Sequence, residues 1–346
     1  MTIQRKSNPS TGRRSVRGSF TQARRAAGFT LVELMIAMAI GLVLVAGLLM
    51  SLNSTLSSSR TNDRTSELQS TGRHSLNLIK QELRQAGFRG YTWPRPNPAT
   101  TALGTVTGEC GDGTGAFVSN VQQGVWGAND GNPFSGNCVP DKVGAAGGDV
   151  LTIRLMDGMP VATLVANTFY FKSTYAAGEV FRGATPPTTF PAGNPVASFA
   201  LQTSVYHVLP YSVSATETPL VPALHRVALR SDGSMARELV SSGIEQLQVQ
   251  YGRRESSIAP MQYFNAFTAA NCPGCELGTN GTAPSTDTRE TVWEEVNAVR
   301  IWVLARSSTP EPGYTNTSSY VMGDQTITVN DGFRRQLFST VVQLRN

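Results

Sequence analysis

The sequence Gly28-Phe29-Thr30-Leu31-Val32-Glu33 leads into Leu34 to Met50, a run of seventeen residues without a charged or strongly polar side chain. One helix over residues 29–50 spans about 33 Å at 1.5 Å per residue, which matches a hydrocarbon core of about 30 Å. A carboxylate near the centre of a bilayer costs roughly 2.5–3.5 kcal/mol, so such residues usually have a function. The sequence therefore predicts a membrane-spanning helix in which Glu33 is needed.

The segment before this helix, residues 1–28, is basic and contains no acid. Its cations are Arg5, Lys6, Arg13, Arg14, Arg17, Arg24 and Arg25. An excess of Lys and Arg keeps its side of a membrane segment in the cytoplasm, so we expect the rest of the chain to face the periplasm. Without these 7 of 29 cations, 22 remain against 24 acids, and the formal charge falls from +5 to about −2 by the same counting. The basic character therefore does not indicate nucleic-acid binding.

The junction after the basic segment resembles the class III signal of type IV prepilins and type II secretion pseudopilins. In these proteins a prepilin peptidase cuts after the Gly and methylates the new N-terminal amine. The resemblance implies that residues 1–28 are a removed leader, with cleavage between Gly28 and Phe29. Phe29 would be N-methylated and Glu33 would be the fifth residue of the mature chain. Neither a plain signal anchor nor an ordinary secretory signal explains this junction.

The same resemblance gives Glu33 a role in assembly. When subunits stack their helices into a filament core, Glu33 of an incoming subunit can pair with the charged Phe29 amine of a neighbour. Breaking a buried ion pair costs about 3–5 kcal/mol, so the pair can set the axial register. Ala37 and Gly41 have the spacing of small residues that lets helices approach closely.

The helix is predicted to continue beyond the membrane, with residues 29–52 as its transmembrane half and residues 53–88 as an amphipathic periplasmic half. Apolar or small residues recur at steps of three and four, as on one face of a helix. They are Leu68, Gly72, Leu76, Ile79, Leu83 and Ala86. Gly87 is a suitable stop, and the Ser- and Thr-rich stretch from Ser51 to Thr65 is predicted to be a soft join between the halves.

Residues 89–346 read as a β-rich body. Apolar residues alternate with polar ones in three runs, around 151–155, 247–251 and 299–303, which predicts half-buried strands. Thr100 to Gly148, Ala176 to Pro195 and Ser256 to Thr288 are rich in Gly, Pro, Thr or Asn and are predicted to be exposed loops. The predicted fold class is α+β and pilin-like, with the long N-terminal helix packed on an antiparallel sheet that has long loops.

Four cysteines, Cys110, Cys138, Cys272 and Cys275, are candidates for disulfides in an exported protein. The simplest pairing joins Cys110 to Cys138 and Cys272 to Cys275, although four cysteines allow three pairings. The C-x-x-C spacing of the second pair leaves a zinc site as an alternative. A thioredoxin-type redox role is disfavoured because this pair follows no βαβ pattern.

Three segments of the body resemble the PilW-like minor pilins: Arg237 to Gly252, Val299 to Arg306, and Asp331 to Asn346. Residues from about 90 to 230 match little and are predicted to hold an inserted subdomain. The resemblance implies a low-abundance pilin that primes pilus assembly at or near the tip. Its partners would be the prepilin peptidase, the major pilin and other minor pilins, a PilY-type tip adhesin, and the inner-membrane assembly platform with its ATPase.

No catalytic function is predicted, because the sequence contains neither a nucleophile elbow nor a phosphate-binding loop. No cofactor or metal is expected. His74, His207 and His225 are scattered, and Glu294 and Glu295 read as a solvated strand edge. A calcium loop at Asp112 or at Asp130 to Asn132 is a less favoured alternative.

The resemblance places the protein in a Gram-negative inner membrane as a single-pass subunit before assembly, and at the pilus tip afterwards. Two other functions remain open. The first is a J-like minor pseudopilin of a type II secretion system. The second is an adhesin or DNA-uptake pilin whose loops bind a ligand, although nucleic-acid binding is disfavoured because the loops hold few cations.

Overall fold

The computed structural model describes residues 28–111, 113–134, 138–139, 142, 147–188, 195–254, 260–266 and 293–345. The chain divides into two compact units, Met1–Ser59 and Arg60–Asn346. Helix α1 (Leu31–Leu83) runs from the first unit into the second. In the first unit its apolar side chains are exposed from Leu31 to Leu56.

Helix α1 continues through Ser51 to Thr65, and the predicted soft join between its two halves stays a prediction. The hydroxyls of this stretch bond back to the carbonyl of the previous turn instead of competing with the helix. Thr55 Oγ1 donates to Ser51 O at 2.9 Å, and Thr65 Oγ1 donates to Thr61 O at 2.8 Å. Such bonds to the carbonyl four residues earlier are common for Ser and Thr within helices and slightly destabilise them.

The second part of α1 is amphipathic, as its spacing predicts. Its buried residues are Leu68, Gly72, Ser75, Leu76, Ile79 and Leu83. The helix ends at Leu83, Ala86 is buried in the turn that follows, and Gly87 has a φ of 74°. Gly87 therefore supplies the left-handed conformation that commonly follows a helix end.

A seven-stranded antiparallel sheet occupies the first part of the body. Its strands are β1 (Val125–Ala128), β2 (Val150–Pro160), β3 (Phe169–Ser173), β4 (Gly178–Arg182), β5 (Ala197–Leu209), β6 (Ala223–Leu229) and β7 (Met235–Ser242). The order is β1-β2-β5-β3-β4, with β6 pairing β5 and β7. A four-residue helix, α2 (Ala116–Ser119), precedes β1.

A four-stranded antiparallel sheet forms the C-terminal part. It contains β8 (Ile244–Arg253), β9 (Gln262–Phe264), β10 (Ala298–Arg306) and β13 (Arg335–Gln343), in the order β13-β10-β8-β9. The hairpin of β11 (Ser319–Met322) and β12 (Gln325–Thr328) connects β10 to β13. The α+β fold class, with its long N-terminal helix and antiparallel sheets, is thus confirmed.

Two of the predicted exposed loops are wrong. Thr100 to Gly148 contains α2 and β1, and Ala176 to Pro195 contains β4. The first is organised around Glu109, a buried carboxylate that accepts hydrogen bonds from the N–H groups of Gly115 at 3.0 Å and Val118 at 3.1 Å. Most of the third segment, Ser256 to Thr288, lies outside the described residues, apart from β9 and its flanks.

The strand predicted around 151–155 is present as part of β2, but it is not half-buried. Its alternate residues Thr152 and Arg154 are as buried as its apolar ones. The Arg154 guanidinium donates to the carbonyls of Phe117 and Gln123 and lies 4.6 Å from the centre of the Phe117 ring. The polar face of β2 is therefore covered by the segment that carries α2.

Residues 125–242 share one compact unit with the C-terminal sheet, and the predicted separate subdomain stays a prediction.

Candidate assembly segment and its support

The start of α1 has a defined N-cap. Glu33 N donates to Thr30 Oγ1 at 3.2 Å, and Leu34 N donates to Thr30 O at 3.1 Å. Thr30 and Glu33 thus have the spacing of a capping box, in which a Thr side chain satisfies an orphan N–H of the first turn. A carboxylate in this turn is also favoured by the positive end of the helix dipole. The local sequence therefore fixes Glu33 in the first turn of α1.

The predicted processing and packing residues are all solvent-exposed or nearly so in the first unit. Phe29 is 82% exposed, Glu33 and Ala37 are exposed, and a Cβ added at Gly28 or Gly41 would meet no atom within 4 Å. By length and composition α1 can cross a membrane, and none of its most apolar stretch is buried. The described part of this chain does not cover the apolar surface of residues 31–56.

In the second unit, α1 is held against β13 by close packing. A Cβ at Gly72 would overlap the ring of Phe338, so only glycine fits this point of the helix. Leu76, Ile79 and Leu83 belong to the same hydrophobic core, into which Phe338 packs. Gly72 thus permits the approach of helix and strand.

Charged contacts hold the same part of the helix. Arg226 of β6 donates to Glu82 of α1 at 2.7 Å and to Glu238 of β7 at 2.9 Å. Nearer the start of this unit, Thr61 Oγ1 donates to Glu311 at 3.1 Å, and Arg334 forms an ion pair with the same carboxylate. Hydrogen bonds from Arg334 are the main cause of the lowered pKa of Glu311.

A further ion-pair network joins the C-terminal strands around Arg335, whose side chain is only 3% exposed. Arg335 donates to Glu245 of β8 at 2.5 Å and to Asp331 at 2.6 Å, while Arg306 of β10 contacts Glu245 at 3.3 Å. Hydrogen bonds from Arg335 lower the pKa of Asp331. The three segments singled out in the sequence thus meet in adjacent strands, because β10 pairs with both β8 and β13.

Cys110 and Cys138 form a disulfide with a Cα–Cα distance of 4.9 Å. Cys272 and Cys275 lie outside the described residues, so their pairing and the zinc alternative stay predictions.

The remaining acids singled out in the sequence have protein partners where they are described. Glu294 pairs with Arg95 at 3.1 Å and Glu295 with Arg253 at 2.5 Å. Asp130 accepts a hydrogen bond from Gln325 at 2.8 Å, and Asp112 lies outside the described residues. Within the described part of the chain, no group of three or more His, Cys, Asp or Glu side chains is arranged to hold a metal ion.

The structure also contains buried polar groups that the sequence did not reveal. His207 and His225 stack between β5 and β6 with ring centroids 5.9 Å apart, and burial lowers the pKa of His207 to about 3. Asp149 accepts from Val249 N at 2.7 Å and from Asp130 N at 3.0 Å, and burial raises its pKa to about 7. His74, in contrast, is exposed on α1, as its position on the helix predicts.

Comparison with known protein families agrees with this architecture. A model described as Type IV Pilus-assembly protein W matches residues 210–346, which include β8, β10 and β13. A model of the prokaryotic N-terminal methylation motif matches residues 23–49. These two matches support a type IV pilin of the PilW family. Its N-terminal motif and apolar helix indicate membrane anchoring through the N-terminus.

Comparison with individual proteins adds less. A solved type IV-like pilin from Thermus thermophilus aligns over 81% of this chain and 95% of its own, with 14% identity and a TM-score of 0.31. A similarity this low carries no inference about function. No curated protein matches the chain.

Proposed function

We propose that this pilin is a minor subunit that primes type IV pilus assembly and occupies the pilus tip. The supporting observation is the N-terminal segment: a capped helix with Glu33 in its first turn and a long apolar surface that the described chain leaves exposed. Such a surface is stable in lipid or in a bundle of similar helices, and it is unfavourable in water. The function of this surface is therefore to associate with lipid or with the helices of other subunits.

Glu33 gives the association its register in this proposal. In an apolar helix bundle an unpaired carboxylate is strongly destabilising, and the methylated amine of Phe29 on a neighbouring subunit keeps the positive charge that can pair with it. Prepilin peptidase would create that amine by cutting between Gly28 and Phe29. Ala37 and Gly41 would let neighbouring helices approach.

The large body supports a position at the filament end. The described residues beyond 60 build two sheets and a hairpin, with eleven strands in the sheets. A subunit repeated along a filament shaft must leave room for the same body above and below it, whereas a subunit at the end has no such restriction on one side. The ion pairs of Glu82, Glu311 and Arg335 would keep the body in one conformation during assembly.

The proposal is tested by deleting the gene in the native host and measuring surface pili, twitching motility and enzyme secretion together. Loss of pili and twitching with normal secretion supports the minor-pilin role. Retained pili with failed secretion refutes it and assigns the protein to a type II secretion system.

The role of Glu33 is tested separately by complementing the deletion with Glu33→Ala, with Glu67→Ala, an exposed acid further along the helix, as the matched control. We expect Glu33→Ala to be processed, as judged by the mass of the mature chain, but not to restore pili. Normal pilus numbers with this variant would refute the register role.

A further inference from the structure

The turn that follows α1 borders a cavity of about 480 Å³ in the second unit. Its wall consists of residues 87–93 together with Gln122, Gly124, Tyr175, Trp293, Glu294 and Arg345. Small-molecule sites are typically about 300–1,000 Å³, mostly apolar, with a few polar groups. The cavity has the size and the lining of such a site.

Aromatic rings are unusually exposed at this cavity. Trp93 is 87% exposed, and Tyr175 is 54% exposed. Tyr91 connects the Tyr175 ring to the core, with its centroid 6.1 Å from the Tyr175 ring and 5.5 Å from the Phe199 ring. Large aromatic side chains that stay in solvent on a rigid support are typical of binding surfaces.

The wall is rigidly held by hydrogen bonds that use its backbone. Tyr91 N donates to Ser173 Oγ at 2.7 Å, Ser173 Oγ donates to Arg89 O at 3.1 Å, and Met156 N donates to Phe88 O at 3.2 Å. Gly90, with a φ of 61°, passes so close to Phe199 that a Cβ there would overlap the ring. The cavity is therefore preformed, which reduces the entropy cost of binding.

Because these backbone groups are already bonded, recognition at the cavity depends on side chains. Two of them are cations. Arg89 donates to Gln122 O at 3.0 Å, but its buried Nε has no hydrogen-bond partner among the described residues. Arg345 is exposed and forms no ion pair within the described part of the chain, whereas the one carboxylate of the wall, Glu294, is paired with Arg95.

We propose that this cavity binds an acidic saccharide, one or two sugar rings carrying a carboxylate. The faces of Trp93 and Tyr175 can stack on the C–H faces of a sugar ring, and the guanidinium groups of Arg89 and Arg345 suit a carboxylate. Gln122 and Glu294 supply amide and carboxylate groups for hydroxyls.

Two other ligand classes fit less well. An extended peptide is recognised largely through main-chain hydrogen bonds, and the wall has used the backbone groups described above. A nucleic-acid strand needs a positive groove that follows its phosphates, and here Glu294 would face them. The saccharide proposal does not depend on the role in assembly, because binding is measured on purified protein and assembly is measured on cells.

The test uses the processed full-length protein in detergent micelles. Trisaccharides of galacturonic, glucuronic and mannuronic acid are titrated while tryptophan fluorescence and calorimetric heat are recorded, with maltotriose as the uncharged comparison. A proline-rich peptide and an oligothymidylate are titrated in the same way to represent the two other ligand classes. Trp93→Ala and Arg345→Gln change exposed side chains and are not expected to affect folding. The matched controls are Val213→Ala, which is 79% exposed, and Arg73→Gln, an exposed cation of α1.

We expect at least one uronic trisaccharide to bind more tightly than maltotriose. Trp93→Ala and Arg345→Gln should each weaken this binding about tenfold, the size expected for one ring contact or one charge-assisted contact, while both controls bind normally. Absence of binding across the acidic panel would overturn the proposal. Equal binding of maltotriose, unchanged affinity in the two cavity variants, or binding only to a proline-rich peptide or an oligothymidylate would also overturn it.

Discussion

The contact between Gly72 of α1 and Phe338 of β13 allows a direct test of how the helix is held. A Cβ at position 72 would overlap the Phe338 ring, whereas ordinary contacts lie at 3.4–4 Å. Adding a methyl group to a closely packed site costs about 1–3 kcal/mol. Alanine gains about 1 kcal/mol over glycine in a helix interior, which partly offsets this cost. We therefore expect Gly72→Ala to lower the free energy of unfolding by about 1 kcal/mol.

The helix itself provides the control. Ser70 is exposed two residues earlier, so the difference between Ser70→Ala and Ser70→Gly measures the preference for alanine over glycine without any packing change. Subtracting this difference from the effect of Gly72→Ala isolates the steric cost, which should be about 2 kcal/mol. A second change, Phe338→Leu, should relieve part of this cost in the Gly72→Ala background, because it removes the ring that the methyl group would meet.

Unfolding of the processed protein in detergent is measured by urea titration, with near-ultraviolet circular dichroism reporting on the aromatic core. If Gly72→Ala is stabilising by the same amount as Gly-to-Ala at position 70, Phe338 moves aside at no cost. The conclusion that glycine is required for the helix–strand approach would then be refuted. Additive effects of Gly72→Ala and Phe338→Leu would refute the direct contact.

Three further predictions concern stability. Arg335→Met leaves Glu245 and Asp331 without their buried partner, and because both acids are partly exposed the free energy of unfolding should fall by about 1–3 kcal/mol. Adding Glu245→Gln to this variant should recover part of the lost stability. If it recovers none, the loss comes from the packing of the Arg335 side chain and not from its ion pairs. Cys110→Ser opens a crosslink between residues 28 apart and should lower the free energy of unfolding by about 3–4 kcal/mol. Reduction of the wild type should cause the same loss, and an unchanged stability after reduction would show that the disulfide does not stabilise the fold. His207 has a pKa of about 3 in the folded protein because of burial, so its stability contribution falls as the pH drops through the unfolded value of 6.5. Acidification from pH 7 to pH 5 should therefore lower the free energy of unfolding of the wild type by about 2 kcal/mol more than that of His207→Asn. The comparison with this variant is needed because the folded pKa of Asp149 is raised to about 7, so that Asp149 changes the stability in the opposite direction over the same pH range. His74→Asn, at an exposed position, should show no such difference, and an equal pH response of His207→Asn and wild type would contradict the burial of a neutral imidazole.

The sequence was sufficient where function depends on short-range pattern. The junction at Gly28 and Phe29, the acid at Glu33 and the apolar run identify a prepilin segment from consecutive residues alone. The buried face of the helix from Leu68 to Leu83 was also predicted from the sequence, because residues three or four apart lie on the same face of a helix. Alternation likewise revealed the strands β8 and β10, since side chains of a strand point to opposite faces.

Two of the three exposed-loop predictions were wrong for a physical reason. Gly- and Pro-rich composition reports on local backbone freedom, not on what packs over a segment. The described residues of the segment 100–148 are held by the buried carboxylate of Glu109, the Cys110–Cys138 disulfide and the guanidinium of Arg154. Such contacts cannot be predicted from local composition.

The sequence by itself thus determined the membrane-length helix, its junction, the amphipathic face and the α+β class, because each depends on residues within one or two turns or along one strand. Only the tertiary structure decided which strands are neighbours and which charges meet. Glu245 and Arg335 are 90 residues apart in the chain yet form an ion pair, and Tyr91 and Tyr175 meet beside the cavity. Such long-range pairs follow from the way in which the sheets pack, which no local pattern specifies.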